Sequence, residues 1–524
     1  MYAMVLHNGA PLELHRISAG MPAPYRHFGC QIIPPSLPLS IQHSAVCKNT
    51  MSSCENGVHV LVFPFPAQGH MLPLLDLTHH LSRRGLSITI LITPKNLPIL
   101  SPILSANPSI QTLIFPFPTH PSIPPGIENL KDLGNHGNIP MITALSTLQN
   151  SIIQWFATHG NPPVAILSDF FLGWTHHLAH QLGIPRIVFF SSGAFAVGVL
   201  NHLWVNFEDV KPGSEIEFRD LPGSPRFAWD HLPSVFRRYR ESGSGVDLIR
   251  TSMEANYLSW ASVTNTFEDL EGEFLGHMSE AMGHPRVYSV GPLNTVGGGP
   301  NSLRGNEEKR DSIDGVVSWL DRWEDGSVLY VCFGSQKLLK KAQMESLAIG
   351  LEGSRVRFVW VVKPPTAQQV AKGYGSVPEG FEDRVSGRGF IVKGWAPQTA
   401  ILSHRAVGGF LSHCGWNSVL EAIMGGVMIL CWPMEAEQFV NAKLLVEYKG
   451  AAVRVCGDGD TVPNSTELAR IIAESMRGDA IEKVRAKELR DKAFEAIKVG
   501  GSSHRDLDGL VQELGKLKCV RNKT

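Results

Sequence analysis

WAPQTAILSHRAVGGFLSHCGWNSVLEAIMGGVMILCWPMEAEQ, residues 395–438, decides how the 524-residue chain is read. The apolar run 408–411 (GGFL) suits a buried parallel strand, and 427–432 (VMILCW) suits a second one, stopped by Pro433. Between them, His413-Cys414-Gly415-Trp416 reads as a turn, and Asn417 opens a helix. A helix whose first N–H groups follow a glycine-bearing turn is a ready anion site. His413 and Asn417 at its mouth suit a diphosphate. A plainer reading competes for part of this stretch: Ser418-x-x-Glu421 before an apolar run is a capping box that needs no ligand. Trp432 reads as core.

The rest of the chain fits an enzyme of two cores. A length of 524 residues exceeds one ordinary core. Hydrophobic content of 43%, charged content of 18% and a net charge of −1 describe a globular protein with no basic excess for nucleic acid. No apolar run reaches the length of a membrane span. The eight cysteines form no CxxC, so reduced thiols and a cytoplasmic location are expected.

Residues 1–56 are rich in Pro, His and Ser, carry only Glu13 and Glu55 as acids, and show no periodicity. An upstream-extended reading frame, a disordered tail and a transit peptide all fit that composition. From residue 57 the pattern changes. A buried strand (HVLVF) runs into a loop with His70, followed by a helix over 74–84 and a strand over 88–93. That βαβ opening predicts a parallel sheet, and open α/β sheets place ligands beyond the carboxyl ends of their strands. A strand over 164–168 ends at Asp169, and others follow over 185–190, 262–266 and 287–290. The Gly- and Asn-rich segment 293–311 reads as a linker between domains 57–292 and 312–505, with 506–524 as a terminal helix. The second domain opens on a strand over 328–333, turns at Gly334-Ser335 and enters a helix over 341–350.

Several chemistries find no support. GxGxxG, the P-loop and the GxSxG elbow are absent, which disfavours a dinucleotide oxidoreductase, an NTPase and a serine hydrolase. His176, His177 and His180 share a predicted helix, but HExxH and a third ligand are lacking, so no metal is expected.

Residues 395–438 resemble the signature box of plant family-1 UDP-glycosyltransferases at Trp395, Gln398, His413, Gly415, Trp416, Asn417, Ser418, Glu421, Glu437 and Gln438. The likeness runs from about residue 58 to the C-terminus and is nearest to members acting on flavonoids and phenolic acids. It implies a GT-B fold, two Rossmann-like domains facing across a cleft, with the terminal helix returning to the first domain. It further implies a UDP-sugar donor, glucose by the terminal Gln438, and no other cofactor. Trp395, with Ala396 beside it, would face the uracil ring, and Gln398 would bond the ribose or base. Ser335, His413, Gly415, Asn417 and Ser418 would hold the diphosphate, and Glu421 would take the ribose hydroxyls. Trp416 would line the sugar pocket, and Glu437 and Gln438 would read the sugar.

Sugar transfer to a hydroxyl requires that hydroxyl to lose its proton as it attacks, work suited to a neutral imidazole near pH 7. By the resemblance His70 is the general base and Asp169 its orienting carboxylate, giving inversion in one displacement. Among 21 histidines, the PAQGHMLP setting singles out His70. The expectation is a monomer, without nucleic-acid partner or membrane span, that glucosylates a small phenol. A terpenoid or hormone acceptor, or a UDP-sugar binder without turnover, remains open on sequence alone. A chain begun at Met51 is expected to equal the full-length chain in solubility and turnover; a large loss of either would assign the first 50 residues a structural part.

Overall fold

Short apolar runs separated by helices give the chain two parallel sheets. The computed structural model describes residues 57–242, 247–293, 310–335 and 337–521. The segment 1–56 with Cys30, Cys47 and Cys54, the linker residues 294–309, and Gln336 lie outside the described residues.

The first half contributes β1 (His59–Phe63), β2 (Ser87–Ile92), β3 (Gln111–Ile114), β4 (Ala165–Asp169) and β5 (Arg186–Phe190). A hairpin of β6 (Glu215–Glu217) and β7 (Arg226–Ala228) follows, then β8 (Ala261–Thr264) and β9 (Val287–Ser289). The seven-stranded sheet runs β3-β2-β1-β4-β5-β8-β9, parallel throughout. β1, β4, β5 and β8 are buried along their whole length, as expected where helices cover both faces.

The second half contributes β10 (Val328–Cys332), β11 (Arg357–Val362), β12 (Gly389–Lys393), β13 (Val407–Ser412), β14 (Met428–Cys431) and β15 (Ala452–Arg454). Its parallel order is β12-β11-β10-β13-β14-β15. Both orders reverse once, between β1 and β4 and between β10 and β13. Crevices for ligands open at such switch points. These are two Rossmann-like sheets, the GT-B architecture.

Two local features differ from the sequence expectation. The first helix spans Gln68–Arg83 and runs through Pro73, where a missing N–H would ordinarily mark a boundary. His70 therefore sits in that helix's first turn, not in a loop. The helix after β13 spans Trp416–Gly425 with Gly415 as its N-cap, so Ser418 is a helical residue and the capping box does not form.

The last helix, Ser502–Arg521, lies against the first half. Leu507, Leu510 and Leu514 join the apolar core of Tyr288 and Val290. Asp506 accepts hydrogen bonds from the backbone N–H and the hydroxyl of Ser289 at 2.7 and 2.9 Å. Arg84 reaches Asp508 at 2.7 Å. No helix among the described residues is long and apolar enough to cross a membrane. Leu510 is fully buried, so Leu510→Ala should cost about 2–5 kcal/mol. A urea midpoint unmoved by that change would show that the helix does not dock.

Candidate functional site

Two polar clusters stand at the two switch points and face each other. In the first half, β4 delivers Asp169 at its carboxyl end, fully buried. One carboxylate oxygen accepts the backbone N–H of Phe171 at 2.9 Å, and the other meets His70 Nδ1 at 2.9 Å. Both oxygens are thus oriented, and Nδ1 carries the hydrogen, leaving Nε2 as the imidazole's basic nitrogen. Ser191 Oγ lies 3.3 Å from the same Nδ1. The rings of Phe65, Phe170 and Phe171 pack on the imidazole, with centroids 5.4, 5.3 and 4.7 Å away. An apolar collar of this kind holds one ring orientation.

Behind the pair lies Arg186, which the sequence reading missed. Its guanidinium is 1% exposed and donates to Ser168 Oγ, Asn256 Oδ1, Ser259 Oγ and the carbonyl of Asp169. Burial pushes its pKa down to about 9, and the Asp169 charge works against that fall. A single arginine in the apolar run RIVFF was the available signal.

The second cluster surrounds the turn 413–417. Cys414 adopts φ +63°, a left-handed conformation disfavoured for any residue with a Cβ, and Ala436 does the same at +55°. Such strain persists where the surrounding structure over-determines the backbone. No side chain caps the helix Trp416–Gly425, which leaves its first amides without a capping acceptor, the arrangement in which a helix N-terminus can take an anion. His413 closes on Gly334, whose φ is +77° and where a Cβ would stand 2.8 Å from the imidazole. His413 Nδ1 is buried without a hydrogen-bond partner, and burial lowers the imidazole pKa to about 4. Ser335 follows in an exposed turn after β10.

The remaining predicted residues divide. Gln398 Nε2 donates to Ser418 Oγ at 3.0 Å and to Glu421 Oε2 at 2.6 Å, so these three form one network. Tyr330, also missed from sequence, donates its hydroxyl to Gln398 Oε1 at 3.3 Å. Trp395 is half-buried and Ala396 buried, just ahead of that network. Gln438 Oε1 accepts the backbone N–H groups of Met434 and Glu435 at 3.0 and 2.9 Å, which fixes the strained loop around Ala436. Burial raises the Glu437 carboxyl pKa, and the nearness of His70 works against that rise. On the helix Thr175–Gln181, His176 is half-buried and His177 and His180 are exposed, and no group of three or more His, Cys, Asp or Glu among the described residues is placed to hold a metal ion.

Two side chains from the turn cross to the other half. Trp416 Nε1 donates to the carbonyl of Asn265 at 2.7 Å, and Asn417 Nδ2 donates to the carbonyl of Gly69 at 3.0 Å. The Trp416 ring lies against Gly193, where a Cβ would come within 2.7 Å of it.

Residues 323–476 match the family model described as UDP-glucoronosyl and UDP-glucosyl transferase. The chain is 51% identical to UDP-glycosyltransferase 89A2 of Arabidopsis thaliana over 89% of this chain and 98% of the relative. It is 48% identical to flavonol 3-O-glucosyltransferase UGT89B1 of the same plant, over 88% and 96%. Among solved structures it is similar to Arabidopsis thaliana UGT89C1 complexed with UDP-L-rhamnose, at a TM-score of 0.72 and 39% identity over 87% of this chain and 99% of that one. The same protein complexed with quercetin gives 0.70.

The buried His413 has a consequence for stability. Between pH 6.5 and about 4 the unfolded imidazole takes up a proton that the folded one does not, so stability falls as pH is lowered through that window. His413→Gln should remove part of the drop in Tm between pH 7 and pH 4.5. Identical pH slopes for the two proteins would contradict the assignment.

Proposed function

The chain belongs to the plant family-1 UDP-dependent glycosyltransferases, and within that family we propose that it moves glucose from UDP-glucose to a hydroxyl of a flavonol or similar small phenol. The carrying observation is the His70–Asp169 pair standing opposite the uncapped turn 415–418. Domain 57–292 then takes the acceptor and domain 312–505 the donor.

In this reading the acceptor hydroxyl gives its proton to His70 Nε2 while its oxygen bonds to the anomeric carbon. The bond from that carbon to the β-phosphate oxygen breaks, and UDP leaves. Asp169 holds the imidazole in the tautomer that leaves Nε2 free and then stabilises the imidazolium. No protein nucleophile intervenes, so the α-linked donor yields a β-glycoside. The diphosphate is held by the amides of the turn with Ser335, His413, Asn417 and Ser418, which stabilise charge as it develops on the leaving group. The reading gives no step to a metal. Gln398 and Glu421 take the base and ribose against Trp395 and Ala396, while Trp416, Glu437 and Gln438 face the sugar.

Two facts support a flavonol acceptor: a relative at 48% identity is named for flavonol 3-O-glucosyl transfer, and the solved UGT89C1 was captured with quercetin. Glucose is preferred as donor because Gln438 closes the signature box. A cytoplasmic monomer completes the reading, in keeping with the free thiols of Cys332, Cys414, Cys431 and Cys456.

The test is a UDP-release assay with UDP-glucose against flavonols, hydroxybenzoates and terpenoid alcohols, with products identified by mass spectrometry. His70→Ala should lower turnover by about 10²–10⁴-fold while leaving UDP affinity nearly unchanged. Retention of activity within a few-fold would remove His70 from the role of base.

A further inference from the structure

A proline inside a helix leaves one carbonyl without its donor. Within Gln68–Arg83 that proline is Pro73, and the carbonyl four residues back belongs to Gly69. The proline ring also crowds that carbonyl and turns it outward from the helix. The Gly69 carbonyl and the His70 N–H belong to one peptide group, whose N–H is tied at 3.0 Å to the carbonyl of Ala67. The carbonyl end is taken by Asn417 Nδ2, 348 residues away in sequence and on the other half, at 3.0 Å. A Cβ at Gly69 would stand 3.8 Å from the same nitrogen, an ordinary van der Waals contact, so the approach does not itself depend on glycine.

We propose that Pro73 is a positioning residue: by leaving the Gly69 carbonyl free, it lets Asn417 hold, across the cleft, the peptide group that carries the base. An amide nitrogen has two N–H groups. Asn417 spends one on Gly69, and among the described residues no other partner meets its nitrogen. The second N–H is aimed at donor phosphate, which rests on the reading of Asn417 given under Proposed function. One side chain then registers the general base against the leaving group. The adjacent bond from Trp416 to Asn265 keeps the turn from which Asn417 reaches.

Pro73→Ala restores an N–H at residue 73, which competes for the Gly69 carbonyl and draws it back toward the helix axis. A merely structural proline predicts at most a change in stability. The positioning role predicts that Tm does not fall, that Kd for UDP stays within about twofold, and that kcat drops by about five- to tenfold, as expected for a base shifted by a fraction of an ångström. In the Asn417→Ala background Pro73→Ala should cause no further loss of kcat, because the shared carbonyl has already lost its partner. Amide hydrogen exchange on the full chain gives a readout independent of turnover. UDP should slow exchange in both 413–420 and 66–75 in the wild type, and only in 413–420 in Pro73→Ala. Unchanged kcat in Pro73→Ala, losses that multiply in the double variant, or equal protection of 66–75 in both proteins would each overturn the proposal. If UDP protects neither segment of the wild type, the donor role of Asn417 fails first and the proposal falls with it.

Discussion

Two opposite charges buried side by side, Arg186 and Asp169, constrain the catalytic edge of the first half. Neither is a group that folding removes from water cheaply: an unpaired buried ion costs several kcal/mol, and deleting one partner of a buried pair costs about 3–5 kcal/mol. Arg186 does not take the carboxylate of Asp169. It grips the carbonyl of that residue, together with Ser168, Asn256 and Ser259. The guanidinium thereby fixes the end of β4 and supplies charge nearby while leaving both carboxylate oxygens to Phe171 and His70. The orientation of His70 follows from an arginine that never touches it.

The second half solves a complementary problem. Its turn leaves the helix Trp416–Gly425 without a side-chain cap and stands beside the other half. Left-handed Cys414 swings the chain into Gly415, and the next two residues, Trp416 and Asn417, leave the turn in the direction of the first sheet. The turn proposed to hold the donor diphosphate is therefore also one of the elements that join the halves. The two switch points meet through two hydrogen bonds, Trp416 to Asn265 and Asn417 to Gly69.

Much of this was legible in the sequence because the physics is local. The apolar runs at 59–63, 328–332 and 428–431 can only be buried strands, and the turn 413–417 announces itself by its glycine and polar residues. What escaped was either weakly patterned or long-range. β3 is mostly exposed at the sheet edge, so it carries no apolar signature. The helix through Pro73 breaks a rule of local propensity, and the donor that satisfies its freed carbonyl sits hundreds of residues away. Tyr330 and Arg186 hid inside runs that read as core, although a charge in such a run was itself a signal. The roles of Ser418 and Glu421 turned on where the helix begins: a capping box needs Ser418 as the N-cap, and Gly415, three residues earlier, holds that place.

We propose that His70, oriented by Asp169, activates an acceptor hydroxyl for one direct displacement. The anomeric configuration of the product tests this most directly. Proton NMR of the glucoside formed from UDP-glucose should show the large diaxial coupling of a β-anomer. An α-glucoside would contradict the account, because retention requires a second displacement and a nucleophile that it does not contain.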